Sequence, residues 1–122
     1  MTKRVMVVED NDLNRKLFCD VLKANGFEIE PVSDGHSVIE RAKAQIPDLI
    51  IMDIQLPGVS GIDLIAAAKS NAELQAIPIL AVTAFAAKGD EERIRSAGAA
   101  GYLAKPVSII PFMTAVKELL PV

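Results

Sequence analysis

The chain has 122 residues, a length that fits one domain with a single hydrophobic core. Hydrophobic residues make up 51% of the chain and charged residues 24%, so it has enough apolar material to fold and is not intrinsically disordered. The 13 Lys and Arg residues against 16 Asp and Glu residues give a net charge of −3, which excludes a broad basic surface for nucleic acid or an anionic membrane.

Cysteine usage and hydropathy place the chain in a reducing, aqueous compartment. A single cysteine, Cys19, excludes an internal disulfide. The apolar run Val5–Val8 is too short for a secretory signal, and the uncharged stretch 74–87 falls short of the roughly 20 apolar residues that a spanning helix needs. We therefore predict a cytoplasmic protein. Since no linker composition divides the chain, we expect one domain over residues 1–122.

Five aliphatic runs have the length of β-strands, and helical apolar spacing fills the intervals between them. In the first interval Leu13, Leu17 and Val21 form the predicted buried stripe of a helix, with Asn11 or Asp12 as its N-terminal cap. The pattern predicts five βα units in succession. The predicted strands are residues 4–9, 27–32, 48–53, 77–83 and 100–104.

Several predicted strands are apolar at consecutive positions, as in Val5–Val8 and Leu49–Met52. Such strands are covered on both faces, which is typical of a parallel sheet between two layers of helices. We therefore predict an open, doubly wound α/β fold. In folds of this kind ligands bind outside the carboxyl ends of the strands, so candidate functional residues are expected there.

Polar and charged side chains stand at four of these strand ends: Glu9 and Asp10 after the first strand, Asp53 at the third, Thr83 at the fourth and Lys105 after the fifth. Each alone has an ordinary structural explanation as a helix cap, a turn, a strand residue or a surface charge. Together they place three carboxylates, a hydroxyl and an ammonium at one edge. Converging carboxylates repel one another, and a bound cation relieves that repulsion.

The ligand types favour a hard cation and phosphate chemistry. All donors are oxygens and no Cys or His is clustered with them, which favours Mg²⁺ over zinc or copper. Lys105 beside a carboxylate-bound cation suits neutralisation of a phosphoryl group. A carboxylate can itself accept that group as an acyl phosphate, and Asp53, central in the sheet, is the best candidate.

The order and spacing of these motifs resemble the receiver domain of two-component response regulators, over essentially the whole chain. Within that family, residues 7–14, 81–95 and 105–108 are similar to the single-domain DivK-type cell-cycle regulators. The resemblance implies a CheY-like, flavodoxin-like (βα)5 sandwich with parallel strands in the order 2-1-3-4-5. The motifs that carry it are Glu9-Asp10-Asn11, Met52-Asp53-Ile54-Gln55-Leu56-Pro57, Gly61, Thr83-Ala84 and Lys105-Pro106.

The resemblance also implies roles for the carboxylate cluster. Asp53 is expected to take the phosphoryl group from a phosphohistidine. Asp10, Asp53 and the backbone carbonyl of Gln55 are expected to bind Mg²⁺, with Mn²⁺ as a substitute. Glu9 stands where the family commonly has aspartate, and it is expected to act on the metal through a water molecule.

The residues at the other strand ends receive roles in the same way. Thr83 and Lys105 are expected to bind phosphoryl oxygens, with Ala84 small enough to admit the group. Tyr102 is expected to be the aromatic switch residue that responds to Thr83. The Lys105–Pro106 peptide bond is expected to be cis.

The resemblance implies a signalling protein in a phosphorelay rather than an enzyme acting on external substrates, although it would catalyse its own phosphorylation and dephosphorylation. A sensor histidine kinase or a histidine phosphotransferase would supply the phosphoryl group. With no output domain, the expected output is docking to a downstream protein, such as a kinase, through residues 88–95 and 108–120. We expect a monomer with no direct nucleic-acid or membrane partner.

Two other functions fit parts of the pattern. A phosphatase of the haloacid-dehalogenase type would form an aspartyl phosphate, but it is expected to carry a second aspartate where this chain has Gln55. A flavodoxin-like mononucleotide binder would share the fold, but Glu9 and Asp10 replace its phosphate loop and would repel an anion.

Overall fold

We describe a computed structural model of the chain, which covers residues 2–84 and 89–120. Five parallel strands form its main sheet in the order 2-1-3-4-5. The order and the parallel direction confirm the predicted doubly wound sheet. The strands are β1 (Arg4–Val8), β2 (Glu28–Val32), β3 (Leu49–Asp53), β4 (Ile79–Thr83) and β5 (Gly101–Ala104).

A helix follows each strand, as the spacing predicts. A 3₁₀ turn, Gly35–Ser37, leads into the second helix. A short antiparallel pair, Gln55–Leu56 with Val59–Ser60, follows β3 and has no counterpart in the predicted elements. None of the described helices has the length and apolar character needed to cross a bilayer. The helices are α1 (Asp12–Ala24), α2 (Val38–Ala44), α3 (Gly61–Lys69), α4 (Asp90–Ala97) and α5 (Ile109–Leu119).

The sheet has a separate apolar core on each face, because successive residues of a strand point to opposite sides. In β1, Met6 and Val8 pack with the residues of α2, α3 and α4 on one face. Val5 and Val7 pack on the other face with α1 and α5, where the rings of Phe18 and Phe112 stack with centroids 4.8 Å apart. Because helices cover both faces of the sheet, the ends of the strands are the accessible place for a functional site.

The predicted buried stripe of α1 is wrong at two of its three residues, since only Val21 packs on the core. Leu13 is 79% exposed and Leu17 is 40% exposed, whereas Phe18, Cys19 and Leu22 are buried. The face of the helix that meets the sheet and α5 carries these three residues. The face with Leu13 and Leu17 instead turns toward solvent near the carboxyl ends of the strands.

The start of α1 agrees with the predicted cap. Asn11 precedes the helix in an extended conformation, and its side-chain oxygen accepts a hydrogen bond of 2.9 Å from the Asn14 amide. This bond satisfies one of the unpaired amides at the helix start. It also fixes the chain direction immediately after Glu9 and Asp10.

Gly61 lies against the backbone of the segment that follows β3. A Cβ atom at this position would stand 2.6 Å from Ile54 Cα and 2.7 Å from the carbonyl oxygen of Asp53, closer than carbon atoms approach in proteins. The Gly61 amide donates a hydrogen bond of 3.2 Å to the Ile54 carbonyl. A residue without a side chain therefore holds the backbone next to Asp53 in place.

We expect Gly61→Ala to destabilise the protein by about 1–3 kcal/mol, the usual cost of overpacking, and to displace the backbone of Asp53. Denaturant unfolding measures the first effect, and the NMR signal of the Asp53 carboxyl reports the second. Gly26→Ala is the matched control, because a Cβ there meets no atom within 4 Å and only the left-handed backbone is strained. An unchanged Asp53 signal in Gly61→Ala would contradict this account of Gly61.

Candidate functional site

Three carboxylates meet at the carboxyl edge of the sheet. Glu9 follows β1 and is 1% exposed, Asp53 ends β3 and is 2% exposed, and Asp10 is exposed. One oxygen from each carboxylate lies within 4.8 Å of the others. The fold thus brings together the three acidic residues that the strand ends predict.

Lys105 supplies a positive charge to this cluster. Its Nζ atom is 2.8 Å from Glu9 Oε1 and 3.3 Å from Asp53 Oδ2. The adjacent Lys105–Pro106 peptide bond is cis, as the resemblance implies. Lys105 thereby bridges the ends of β1 and β3 from the loop after β5, and one ammonium faces two buried carboxylates.

This imbalance of charge shifts the pKa values. Burial, followed by the neighbouring Glu9, raises the pKa of Asp53 to about 7, although the Gln55 amide and Lys105 act in the opposite sense. Burial also disfavours ionisation of Glu9, but contacts with Asp53, Lys105 and the Asn11 amide outweigh it and lower the pKa of Glu9. Burial works against the charge of Lys105, yet Glu9 and Asp53 prevail and raise the pKa of Lys105.

Hydrogen bonds of Gln55 connect Thr83 with Asp53. The side-chain nitrogen of Gln55 donates a hydrogen bond of 2.6 Å to the Thr83 hydroxyl, and the Ala84 amide donates one of 2.8 Å to the side-chain oxygen of Gln55. The backbone amide of Gln55 donates a bond of 3.0 Å to Asp53 Oδ1. The sequence predicted the backbone carbonyl of Gln55 as a metal ligand, but it did not predict the side-chain hydrogen bonds to Thr83 and Ala84.

Tyr102 lies outside the carboxylate cluster, on β5. It is half-buried and packs on the core beside α3 and α4. It pairs in register with Ala81, two residues before Thr83, so Tyr102 and Thr83 lie on the same face of neighbouring strands. A movement of the Thr83 side chain can therefore alter the space around Tyr102 on this face of the sheet.

A groove borders the cluster on the side of α1. Its volume is about 440 Å³, and Asn14, Leu17, Phe18, Pro106 and Val107 are among its lining residues. Leu17, an exposed leucine of α1, therefore stands beside Lys105 rather than on a remote surface. Apolar side chains at the rim of a polar site are typical of protein docking.

The donor set of the cluster fits a hard divalent cation. Every candidate ligand atom is a carboxylate oxygen, which is the donor type that Mg²⁺ prefers. One oxygen of Glu9 accepts a bond of 3.2 Å from the Asn11 amide. The other oxygen is buried and lies 2.8 Å from Lys105 Nζ in an ion pair.

The raised pKa of Asp53 predicts that the stability of the metal-free protein depends on pH. The folded protein keeps the Asp53 proton up to about pH 7, whereas the unfolded chain releases it near 3.8, so stability falls as the pH rises between these values. Glu9 adds the opposite dependence only below its ordinary pKa of 4.5. We expect Asp53→Asn to remove the fall and to raise the melting temperature at about pH 8 by about 3–6 °C.

Thermal melts in a chelator from about pH 5 to about pH 8 measure this effect. Glu73→Gln, at an exposed carboxylate away from the cluster, is the control and should keep the wild-type profile. A wild-type melting temperature that does not change over this range would contradict the raised pKa of Asp53.

Comparison with known proteins identifies the family. The response regulator receiver domain family matches residues 5–117. The polar-differentiation response regulator DivK of Brucella ovis is 50% identical over 120 residues, which cover 98% of each protein. DivK of Brucella anthropi is 49% identical over the same length. The chain spans nearly the whole of these relatives.

Solved structures of other receiver-type proteins have the same fold. A response regulator of Chloroflexus aurantiacus superposes with a TM-score of 0.93 at 28% identity, over 98% of each chain. The receiver domain of the sensor histidine kinase PA1611 of Pseudomonas aeruginosa superposes over 100% of each chain, with a TM-score of 0.90 at 29% identity, and holds a magnesium ion in its active site cleft. The chain belongs to the response regulator receiver domain family, with a CheY-like fold and DivK regulators among its relatives.

Proposed function

We propose that the chain is a single-domain response regulator that accepts a phosphoryl group on Asp53 in the presence of Mg²⁺. The observation that carries this proposal is the setting of Asp53. Its buried carboxylate ends a central strand, with the Lys105 ammonium 3.3 Å from one oxygen and the Gln55 amide 3.0 Å from the other. The two other carboxylates beside it supply oxygen ligands for a cation.

The ligands of Mg²⁺ in this proposal are Asp10, Asp53 and the backbone carbonyl of Gln55, with Glu9 acting through a water molecule. Mn²⁺ has the same preference for oxygen and is expected to substitute. The bound cation supplies positive charge that offsets the carboxylates and the incoming phosphate. The buried Glu9 oxygen and the magnesium in the PA1611 receiver support this assignment.

In the transfer step an ionised oxygen of Asp53 forms a bond to the phosphorus of a phosphohistidine, and the bond from phosphorus to the imidazole nitrogen breaks. The electron pair of that bond stays with the imidazole, which leaves the site. Asp53 must lose its proton first, because a neutral carboxyl group is a poor nucleophile. The ammonium of Lys105 helps to hold the ionised form and then faces the transferred oxygens.

We assign the output to the side of the sheet that bears Thr83 and Tyr102. A phosphoryl group at Asp53 adds negative charge and strong acceptor oxygens, which attract the Thr83 hydroxyl. Movement of Thr83 changes the space beside Tyr102 on the same face. Tyr102 lines a groove with Arg95 of α4 and Ile110 of α5, so its position alters the surface between those helices. The predicted docking segment 88–95 begins at Lys88, which lies outside the described residues.

The phosphoryl donor is assigned to the groove beside α1. Leu17 is exposed there and lines the groove together with Lys105, and Leu13 is exposed one turn earlier on α1. A helix of a sensor histidine kinase or a histidine phosphotransferase that packs on these leucines would bring its phosphohistidine to Asp53. Burial of these side chains would stabilise the complex without touching the reacting atoms.

We further propose that residues 1–122 act as one receiver domain, as a monomer, and that the protein signals by binding a downstream protein, such as a kinase. The DivK relative of Brucella ovis supports this, because the alignment covers 98% of both proteins. Neither nucleic acid nor membrane is assigned as a direct partner, since the net charge is −3.

Gln55 also argues against the phosphatase alternative. Its side chain is a neutral amide that is engaged with Thr83 and Ala84 rather than directed at a leaving group. An amide cannot act as the general acid or base that turnover of external substrates needs. The chain is therefore assigned chemistry on itself and not on metabolites.

We expect wild-type protein to gain the mass of one phosphoryl group in acetyl phosphate with Mg²⁺, and Asp53→Asn to gain none, because the nucleophile is removed. Intact-mass spectrometry measures both. Asp63→Asn, at an exposed aspartate on α3, is the control and should be labelled like the wild type. Labelling of Asp53→Asn to the wild-type extent would contradict the assignment of Asp53.

We expect donor docking and output to be separable. Leu17→Ala should slow transfer from the cognate histidine kinase about fivefold or more, because a docking contact of about 1 kcal/mol or more is lost, while labelling by acetyl phosphate continues. Tyr102→Ala should accept phosphate but lose phosphorylation-dependent binding of the downstream partner.

Phosphotransfer kinetics and partner titrations with and without beryllofluoride distinguish these variants. Ile46→Ala is the matched control for Leu17→Ala, because Ile46 is an exposed aliphatic residue before the amino end of β3. Equal slowing by both substitutions would remove the α1 groove from donor docking. Equal partner affinity of wild-type protein with and without beryllofluoride would contradict the switch.

A further inference from the structure

The side-chain amide of Gln55 joins two strand ends across the mouth of the site. Its nitrogen donates to the Thr83 hydroxyl at 2.6 Å and its oxygen accepts from the Ala84 amide at 2.8 Å. Thr83 is the last residue of β4, and Gln55 stands two residues after the end of β3. These two bonds therefore tie the segment that follows Asp53 to the end of the neighbouring strand.

The hydrogen-bond partners fix the orientation of this amide. The Ala84 amide can only donate, so the group that faces it must be the side-chain oxygen of Gln55. The side-chain nitrogen is then directed at Thr83 Oγ1, which accepts. With oxygen and nitrogen exchanged, two donors would face each other at Ala84. The bridge thus uses both ends of the amide in one arrangement.

The bridge holds the hydroxyl that the phosphorylated state needs elsewhere. Under the proposed function, Thr83 moves toward oxygens on Asp53 when the phosphoryl group arrives. That movement lengthens the 2.6 Å contact with Gln55, and it carries the adjacent Ala84 amide with it. The backbone amide of Gln55 bonds Asp53 Oδ1 at the same time, so the Gln55 backbone is held beside the phosphoacceptor when Thr83 moves.

We propose that Gln55 is a positioning residue that acts as a latch. In the unphosphorylated protein its side-chain amide keeps Thr83 and Ala84 in their resting positions, and occupation of the site by a phosphoryl group must break the latch. This inference rests on the proposed function, since it names the residue that opposes the Thr83 movement. Loss of the amide is expected to favour the phosphoryl-bound state.

Beryllofluoride with saturating Mg²⁺ is the probe, because it imitates a phosphoryl group on a carboxylate without a transfer step. Gln55→Met keeps the length and much of the volume of the side chain but cannot form either hydrogen bond. We expect it to bind beryllofluoride about fivefold more tightly than the wild type, the equivalent of one net hydrogen bond. NMR titration of the Thr83 methyl signal gives the dissociation constants.

The same spectra give a readout that a purely structural role would not move. In beryllofluoride-free Gln55→Met the Thr83 methyl signal should shift part of the way toward its position in the beryllofluoride-bound wild type. Gln45→Met, at an exposed glutamine after α2, is the matched control and should bind like the wild type. Equal or weaker binding by Gln55→Met, or an unshifted Thr83 signal, would overturn the latch.

A measurement on the wild type keeps the test independent of how Gln55→Met folds. The side-chain amide protons of Gln55 should show contacts with the Thr83 methyl group in the free protein, and these contacts should be lost in beryllofluoride. Persistence of the contacts in the bound state would overturn the latch. If the wild type fails to bind beryllofluoride at all, the proposed function itself is wrong, which is a distinct result.

Discussion

The site depends on a shortage of positive charge around buried carboxylates. Glu9 and Asp53 are almost fully removed from solvent, Asp10 lies within reach of both, and Lys105 is the one ammonium that touches them among the described residues. Asp53 bears the consequence, since its pKa is raised to about 7. A cation that enters the site would stabilise the ionised form of this carboxyl group, because it offsets the negative charge. The same repulsion between carboxylates favours binding of a cation such as Mg²⁺, and under the proposed function the bound cation would hold Asp53 in the ionised form that acts as the nucleophile.

The sequence predicts the strand-end residues well because topology alone brings them together. In a parallel sheet every strand runs in the same direction, so residues after β1, at the end of β3 and after β5 meet at one edge. No side-chain packing has to be known for this step. The central position of Asp53 follows in the same way from consecutive apolar residues in β3, which indicate a strand covered on both faces.

The details that the sequence did not predict require knowledge of neighbours distant in the chain. Apolar periodicity indicated leucines on one face of α1, but it could not show that these leucines are exposed while Phe18 and Leu22 meet the sheet. The side chain of Gln55 is a similar case. Its partners are 28 and 29 residues away, and no local pattern distinguishes an amide that bridges two strand ends from one in solvent.

Charge and hydrogen bonding act on Thr83 in opposite directions. Converting the Asp53 carboxylate to an acyl phosphate adds about one negative charge to a site whose carboxylates already outnumber its ammonium, which draws every nearby donor inward. In the latch proposal Gln55 holds the Thr83 hydroxyl back with one hydrogen bond, worth about 1 kcal/mol net. Under the proposed function these opposing contributions give Thr83 two positions, one held by Gln55 and one drawn toward the phosphoryl oxygens. In that proposal the charge on Asp53 selects between the two positions, and Tyr102, on the same sheet face as Thr83, would transmit the change to the surface.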